Sequence, residues 1–217
     1  MKRYLVASSL LLCSFTSPVF AEESTGFYLS FGGGLNSISD LEGDLGTDGF
    51  SFDTNSPFQY SLAIGKEFDD WRLEFNYSGS TVSMDSVTVT PAGQNSVSVD
   101  LVPEIEADVT SYMLYGLKNL TNDTKFTTYL GAGVGFTSLD LPAQNINVGG
   151  ANVPLPAADE QVFSFGVKGG VEYEIAENTS LFSEIGYLNL SSFDGVDDES
   201  YDSLNSFTVG GGLRFNF

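Results

Sequence analysis

Histidine is missing from all 217 residues, which removes every mechanism that needs imidazole as base, proton shuttle or metal ligand. Cysteine occurs once, as Cys13, so neither an internal disulfide nor a thiolate metal cage can form. Basic residues are scarce: 8 Lys and Arg stand against 29 Asp and Glu, and the pI is about 4.1. A surface this acidic repels phosphate backbones, which argues against nucleic acid as a partner. Past the N-terminus no apolar run approaches the ~20 residues of a helical membrane span. The mean hydropathy of +0.02 nevertheless excludes a disordered chain. The length allows one domain or two small ones. What the chain has in quantity is glycine, 24 residues, with 18 Phe and 10 Tyr, a composition that leans towards tightly packed β-structure.

Residues 1–21 read as a secretory signal peptide. Lys2 and Arg3 form a positive start, Tyr4 to Phe15 an apolar stretch, and Val19-Phe20-Ala21 a cleavage site before Glu22. Leu12 precedes Cys13 where lipoprotein processing wants a small residue, so lipidation is rejected. Residues 22–217 form one domain, with no linker or composition shift.

Period-2 alternation fills that domain in eight segments. In the last, Phe207, Val209, Leu213, Phe215 and Phe217 oppose Ser206, Thr208, Gly210, Gly212, Arg214 and Asn216. Phe58, Tyr60, Leu62 and Ile64 oppose Gln59, Ser61, Ala63 and Gly65. Trp71, Leu73, Phe75 and Tyr77 oppose Arg72, Glu74, Asn76 and Ser78. Phe163, Phe165, Val167, Val171 and Tyr173 oppose Ser164, Gly166, Lys168, Gly170 and Glu172. Four noisier segments set Phe27, Leu29, Phe31 and Leu35 against Tyr28, Ser30, Gly32 and Gly34, and Leu130, Ala132, Val134 and Phe136 against Gly131, Gly133, Gly135 and Thr137. In the other two, Val109, Met113, Tyr115 and Leu117 face away from Asp108, Thr110, Tyr112 and Gly116, and Leu181, Ile185 and Tyr187 from Phe182, Glu184 and Gly186.

The connections alternate in length. Roughly 36–56, 83–104, 140–160 and 193–203 are long, whereas 69–70, 119–124 and 176–178 are short. Long loops at one end and tight turns at the other suit an eight-stranded antiparallel up-and-down transmembrane barrel. One face is bulky and apolar, which in water would aggregate, so it is assigned to lipid. The small and charged face then lines the lumen, placing Arg72, Glu74, Lys168, Glu172, Glu184 and Arg214 inside as an ion-pair network. Phe68, Trp71, Phe215 and Phe217 are expected in an aromatic girdle at the periplasmic interface, with Tyr60 and Tyr77 in the opposite one.

Gly-Phe-Tyr-Leu-Ser-Phe-Gly-Gly-Gly at 26–34, Tyr-Leu-Gly-Ala-Gly-Val-Gly-Phe at 129–136 and the ending Val-Gly-Gly-Gly-Leu-Arg-Phe-Asn-Phe at 209–217 resemble the small outer-membrane β-barrel proteins of Gram-negative bacteria, the OmpA/OmpX-like, opacity-type porin family. The resemblance implies residence in the outer membrane after cleavage. It also implies that Phe215 and Phe217 belong to the signal read by the barrel-assembly machinery. Unlike full-length OmpA, the chain ends at its eighth strand, so no peptidoglycan-binding domain is expected to follow. Eight strands imply a filled lumen, which argues against general diffusion.

Gly131-Ala132-Gly133-Val134-Gly135 could pass for a nucleotide loop, but its glycines share one strand face and no helix pattern follows. The enzymes familiar in this compartment resemble one another in using a catalytic histidine, so no enzyme is expected. The expected role is structural or interaction-bearing: a monomeric anchor in lipid and lipopolysaccharide that presents acidic loops to an unknown extracellular ligand. The alternative is a narrow channel or small-solute transporter. The four long loops carry 16 of the 29 acids and no Lys or Arg. Asp194, Asp197, Asp198, Glu199 and Asp202 are the densest group and, off the EF-hand spacing, could hold calcium only weakly. Cations could also bridge these acids to lipopolysaccharide.

Overall fold

The computed structural model describes residues 26–217 except 46–47, 56, 91, 94, 122–124, 149–150, 156 and 195–198. The signal-peptide assignment, 1–21, lies outside the described residues. The strands are β1 (Phe27–Ile38), β2 (Leu41–Leu45), β3 (Asp48–Thr54), β4 (Phe58–Phe68), β5 (Trp71–Thr90), β6 (Val97–Thr121) and β7 (Phe126–Leu141), followed by β8 (Gln144–Val148), β9 (Ala151–Leu155), β10 (Ala158–Ala176), β11 (Thr179–Leu190), β12 (Phe193–Asp194), β13 (Glu199–Tyr201) and β14 (Leu204–Asn216).

Eight of these pair antiparallel in a closed ring, β1–β4–β5–β6–β7–β10–β11–β14, and β14 returns to β1 from Tyr28↔Asn216 to Ile38↔Ser206. Closure leaves no unpaired edge in lipid, the condition for a sheet to cross a membrane. Phe58 to Phe68, Phe126 to Phe136 and Phe163 to Tyr173 are exposed aromatic pairs, each ten residues apart on one strand, and Phe207 to Phe217 is another that ends one residue past β14. Ten residues at ~3.3 Å each, tilted by ~40°, span roughly 25 Å, the height of an apolar barrel belt. Between them Leu62, Ile64, Leu130, Val134, Val167, Ile185 and Val209 all point outward.

The lower girdle lies at the tight-turn end. Phe68 pairs with Trp71 across Asp69–Asp70, where Asp69 takes φ 51°, a left-handed turn conformation that Asp tolerates. Lys66 reaches over the rings of Phe27 and Phe68 at 4.6 and 5.4 Å, and Lys118 over Trp71 at 5.4 Å. These cations keep their stems on the aromatic belt and their heads towards water.

Two expectations need correction. First, β6 is turned over: Met113, Tyr115 and Leu117 are buried in the lumen, while Tyr112 and Leu114 face lipid. The reason is the neighbouring strand. Gly131, Gly133 and Gly135 of β7 leave the lumen wall bare of side chains, and a Cβ on any of them would collide with Leu117, Tyr115 or Met113. The bulky inner face of β6 fills the volume that the glycines vacate.

Second, the long connections are largely β-structure. β5 and β6 run past the belt as one hairpin paired as far as Val89↔Val97, with a register shift between Met84 and Ser86. β2 and β3 form a hairpin that adds to β5, and β8 and β9 another beside β6. Their inner face has a core of its own: Met84, Leu101, Ile105 and Ala107 pack with Leu41, Phe52, Val87 and Leu141. Beside it, Val162, Leu190 and Leu204 pack with Ile38, Leu139 and Leu188.

Candidate functional site: the ion-paired lumen

The inward positions of five strands deliver charge to one level of the barrel. Arg72 and Glu74 come from β5, Lys168 and Glu172 from β10, Glu184 from β11 and Arg214 from β14; Glu67 joins them from β4 and Tyr28 from β1. The groups alternate in sign along a continuous path. Lys168 Nζ lies 3.1 Å from Glu184 and 2.6 Å from Glu74. Arg214 lies 3.5 Å from Glu74 and in direct contact with Glu172. Glu172 Oε2 also accepts from Arg72 at 2.8 Å, and Arg72 Nε donates to Glu67 at 3.2 Å. Each cation therefore sits between two carboxylates, which is how charges this deeply buried escape an unpaired desolvation cost.

Tyrosines frame the path. Tyr28 donates to Glu74 at 2.8 Å and Tyr129 to Glu184 at 2.9 Å. The Arg214 guanidinium lies 4.4 Å from the Tyr28 ring and its Nε donates to Ser30 at 3.1 Å. Lys168 lies 4.6 Å from the Tyr115 ring. These rings supply both a quadrupole for the cations and the bulk that fills the remaining lumen.

All six residues assigned to the lumen from sequence meet there, and the structure adds four that sequence reasoning missed. Glu67 was findable, since extending the inward series Gln59, Ser61, Ala63, Gly65 by one step reaches it. Tyr129 follows in the same way from Gly131, whereas Asn119 lies in line with Leu117 on the face of β6 that was read as lipid-facing; it donates to Glu67 and its Oδ1 is buried without a hydrogen bond. Tyr115 was placed on the wrong face. Above the ion pairs lies a cavity of about 70 Å³ lined by Gln59, Ser61, Asn76, Ser78 and Thr208. Beyond it Ser111 and Ser164 both bond to Thr137, and Ser206 donates to Asn36, below the apolar clusters around Met84 and Val162.

Phe215 rests edge-on against Phe31, centroids 6.2 Å apart, and the backbone N–H of Phe217 donates to Phe27 at 2.8 Å. Of the acidic loop group, Asp197 and Asp198 lie outside the described residues, and Asp194 and Glu199 are described by backbone alone. Asp202 is exposed. Among the described residues no three acids converge as a metal site would require.

Residues 7–215 match the family model of the outer membrane protein beta-barrel domain. The chain belongs to that family. It resides in the outer membrane, as its curated relative does: outer membrane protein PagN of Salmonella typhimurium is 28% identical over 144 residues, 63% of this chain and 59% of that protein. The match thus spans less than two thirds of the relative's length. The structure of Neisserial surface protein A superposes with a TM-score of 0.57 at 17% identity, covering 90% of this chain and all of that one. The outer membrane protease OmpT of Escherichia coli gives 0.54 at 10% identity, covering 90% and 99%. At such identities the two structures speak for the fold alone.

Proposed function

We propose that this barrel is a non-enzymatic surface-interaction protein, a rigid, monomeric support that holds a β-structured acidic end outside the cell. The observation carrying the reading is the contrast between its two halves. Within the membrane, the outer face is predominantly apolar and the inner face is locked by the alternating ion pairs, so the lumen has a structural task. Outside it, β5 and β6 continue beyond the belt and recruit two hairpins. Long strands of that kind add nothing to crossing a bilayer. The likeness to a protease does not transfer chemistry, because this chain has no histidine and each lumen carboxylate is engaged by a cation.

The test has two arms. In planar bilayers, the refolded barrel should show no stable open state; reproducible conductance steps would favour the channel reading instead. In cell-binding assays, bacteria displaying the full barrel should bind host cells or matrix better than bacteria displaying a barrel trimmed of residues 85–100. Equal binding by the two would overturn the surface role.

A further inference from the structure

Six cations follow residue 21, and they fall into two places. Arg72, Lys168 and Arg214 belong to the lumen network, whereas Lys66, Lys118 and Lys125 stand at the tight-turn end. Lys66 and Lys118 share one stretch of the lipid-facing wall. Lys66 of β4 pairs directly with Phe27 of β1, and Lys118 of β6 with Trp71 of β5. The Phe68↔Trp71 pair beside the turn joins the two halves. Each ammonium lies over a ring, Lys66 over Phe27 and Phe68 and Lys118 over Trp71, and all three rings are exposed. The neighbouring acids do not answer this charge. Glu67 turns into the lumen, where Arg72 and Asn119 donate to it. Asp69 and Asp70 make the turn itself, and Glu174 and Glu177 lie at the β10–β11 turn on the opposite wall. Among the described residues neither Lys66 nor Lys118 forms an ion pair.

We propose that Lys66 and Lys118, on the platform of Phe27, Phe68 and Trp71, bind the phosphate of an anionic phospholipid. The site is separate from the surface-interaction role, at the other end of the barrel. Depth identifies the occupant. Leu62, Ile64, Leu73 and Phe75 of the same wall are exposed to acyl chains, so the rings beneath them stand at headgroup level. Tight turns face the periplasm, where the leaflet is phospholipid. Charge then selects the headgroup. The two lysines are two strands and two residues apart, roughly 12 Å between backbones, a gap that two such long side chains can close over Trp71. Two ammonium groups without a carboxylate favour a headgroup of net negative charge, such as phosphatidylglycerol. Phosphatidylcholine and phosphatidylethanolamine bring a cation of their own to the same place. The rings already hold the lysine stems against the wall, which lowers the entropy lost on binding.

Trp71 is the sole tryptophan and lies within the site, so its fluorescence reports the lipid bound there. The full barrel is refolded into phosphatidylcholine vesicles containing either brominated phosphatidylglycerol or brominated phosphatidylcholine at equal mole fraction. Quenching is measured against the same vesicles without bromine, which cancels any change in the tryptophan itself. Phosphatidylglycerol should be preferred about fivefold, and the preference should shrink as salt is added. Lys66→Gln with Lys118→Gln should bring the ratio within about twofold of unity, and Lys66→Arg with Lys118→Arg should keep it. Lys118→Gln alone should lower the ratio, whereas Lys125→Gln, the same charge change at an exposed position outside the site, should not. All variants should keep the heat-modifiable band, and the wild-type comparison needs no variant. Equal quenching by the two lipids overturns the proposal, as does an undiminished preference in the double Gln variant. An equal fall in Lys125→Gln and Lys118→Gln would mean diffuse attraction in place of a site and overturn it too. Loss of the preference on adding soluble glycerol phosphate would assign the lysines to free phosphate and overturn the lipid assignment.

Discussion

Replacing Arg214 with Met removes the guanidinium at the centre of the lumen while keeping much of its bulk. Arg214 is 2% exposed and touches Glu172, Glu74 and Ser30. Without it neither carboxylate is stranded: Glu172 keeps Arg72 at 2.8 Å, and Glu74 keeps Lys168 at 2.6 Å and Tyr28 at 2.8 Å. The cost therefore falls at the low end for a broken buried pair, about 3 kcal/mol. Glu172→Gln is worse, about 4 kcal/mol, because two arginines share that oxygen and Arg214 is left with Glu74 at 3.5 Å. Their combination should cost roughly 4–5 kcal/mol, since each removal disposes of the group that the other leaves unpaired. Urea unfolding from lipid vesicles, followed by the sole tryptophan, Trp71 at the lower girdle, and by the cold electrophoretic band, measures all four corners. If Arg214→Met unfolds within ~0.5 kcal/mol of wild type, or if the two changes add within ~0.5 kcal/mol, the network is not a coupled unit.

Three further outcomes are expected. Mass spectrometry of the exported protein should place its N-terminus at Glu22 in the outer-membrane fraction, and deletion of Phe217 should impair assembly but not export; retention of residues 1–21 would refute the first, normal assembly the second. Gly65→Ala should cost about 1–3 kcal/mol, because a methyl there would occupy the position of the Tyr28 ring and pull its hydroxyl from Glu74; an unchanged urea midpoint would refute it. Calcium titration should give weak, saturable heat that Asp197→Asn with Asp198→Asn abolishes, and a featureless trace identical in the variant would leave only a solvated acidic loop.

The belt was legible in the sequence because most lipid-facing positions repeat the same demand for apolar bulk. Strand count, closure and the charge content of the lumen follow from that alternation. β6 was misread for a physical reason. Lipid and a packed lumen both accept Met113, Tyr115 and Leu117, so hydrophobicity alone cannot choose the face; the choice was made by the glycines on β7, two strands' worth of sequence read together. Partner assignment within the network needed register too. Glu172, not Glu74 or Glu184, holds Arg214 most closely, and nothing in the spacing says so. The extension was misread because acids and turn residues interrupt its strands. Val87, Val89, Val97 and Val99 alternate with Thr and Ser as strictly as any membrane strand, but two-residue alternation flanked by Asp and Glu resembles a solvated loop until a core is seen beneath it.

That core also limits what folding can explain outside the membrane. A protruding hairpin needs one face covered, and the cluster around Met84, Leu101 and Ile105 covers Phe52 and Val87. Stability through burial stops at that level. Val89 and Val97 carry the apolar alternation one rung further, where they are 39% and 58% exposed and add less transfer free energy than a buried valine. Exposed β-branched pairs on a protruding strand also carry an aggregation hazard, which polar substitutes would remove at little cost to pairing. A position that departs from what its own fold requires is where a demand other than folding acts. The membrane half shows no comparable surplus, for its apolar groups face lipid or fill the lumen and its ion pairs face one another. The demand falls at the tip of β5 and β6, the part of the chain that the surface-interaction reading turns outward.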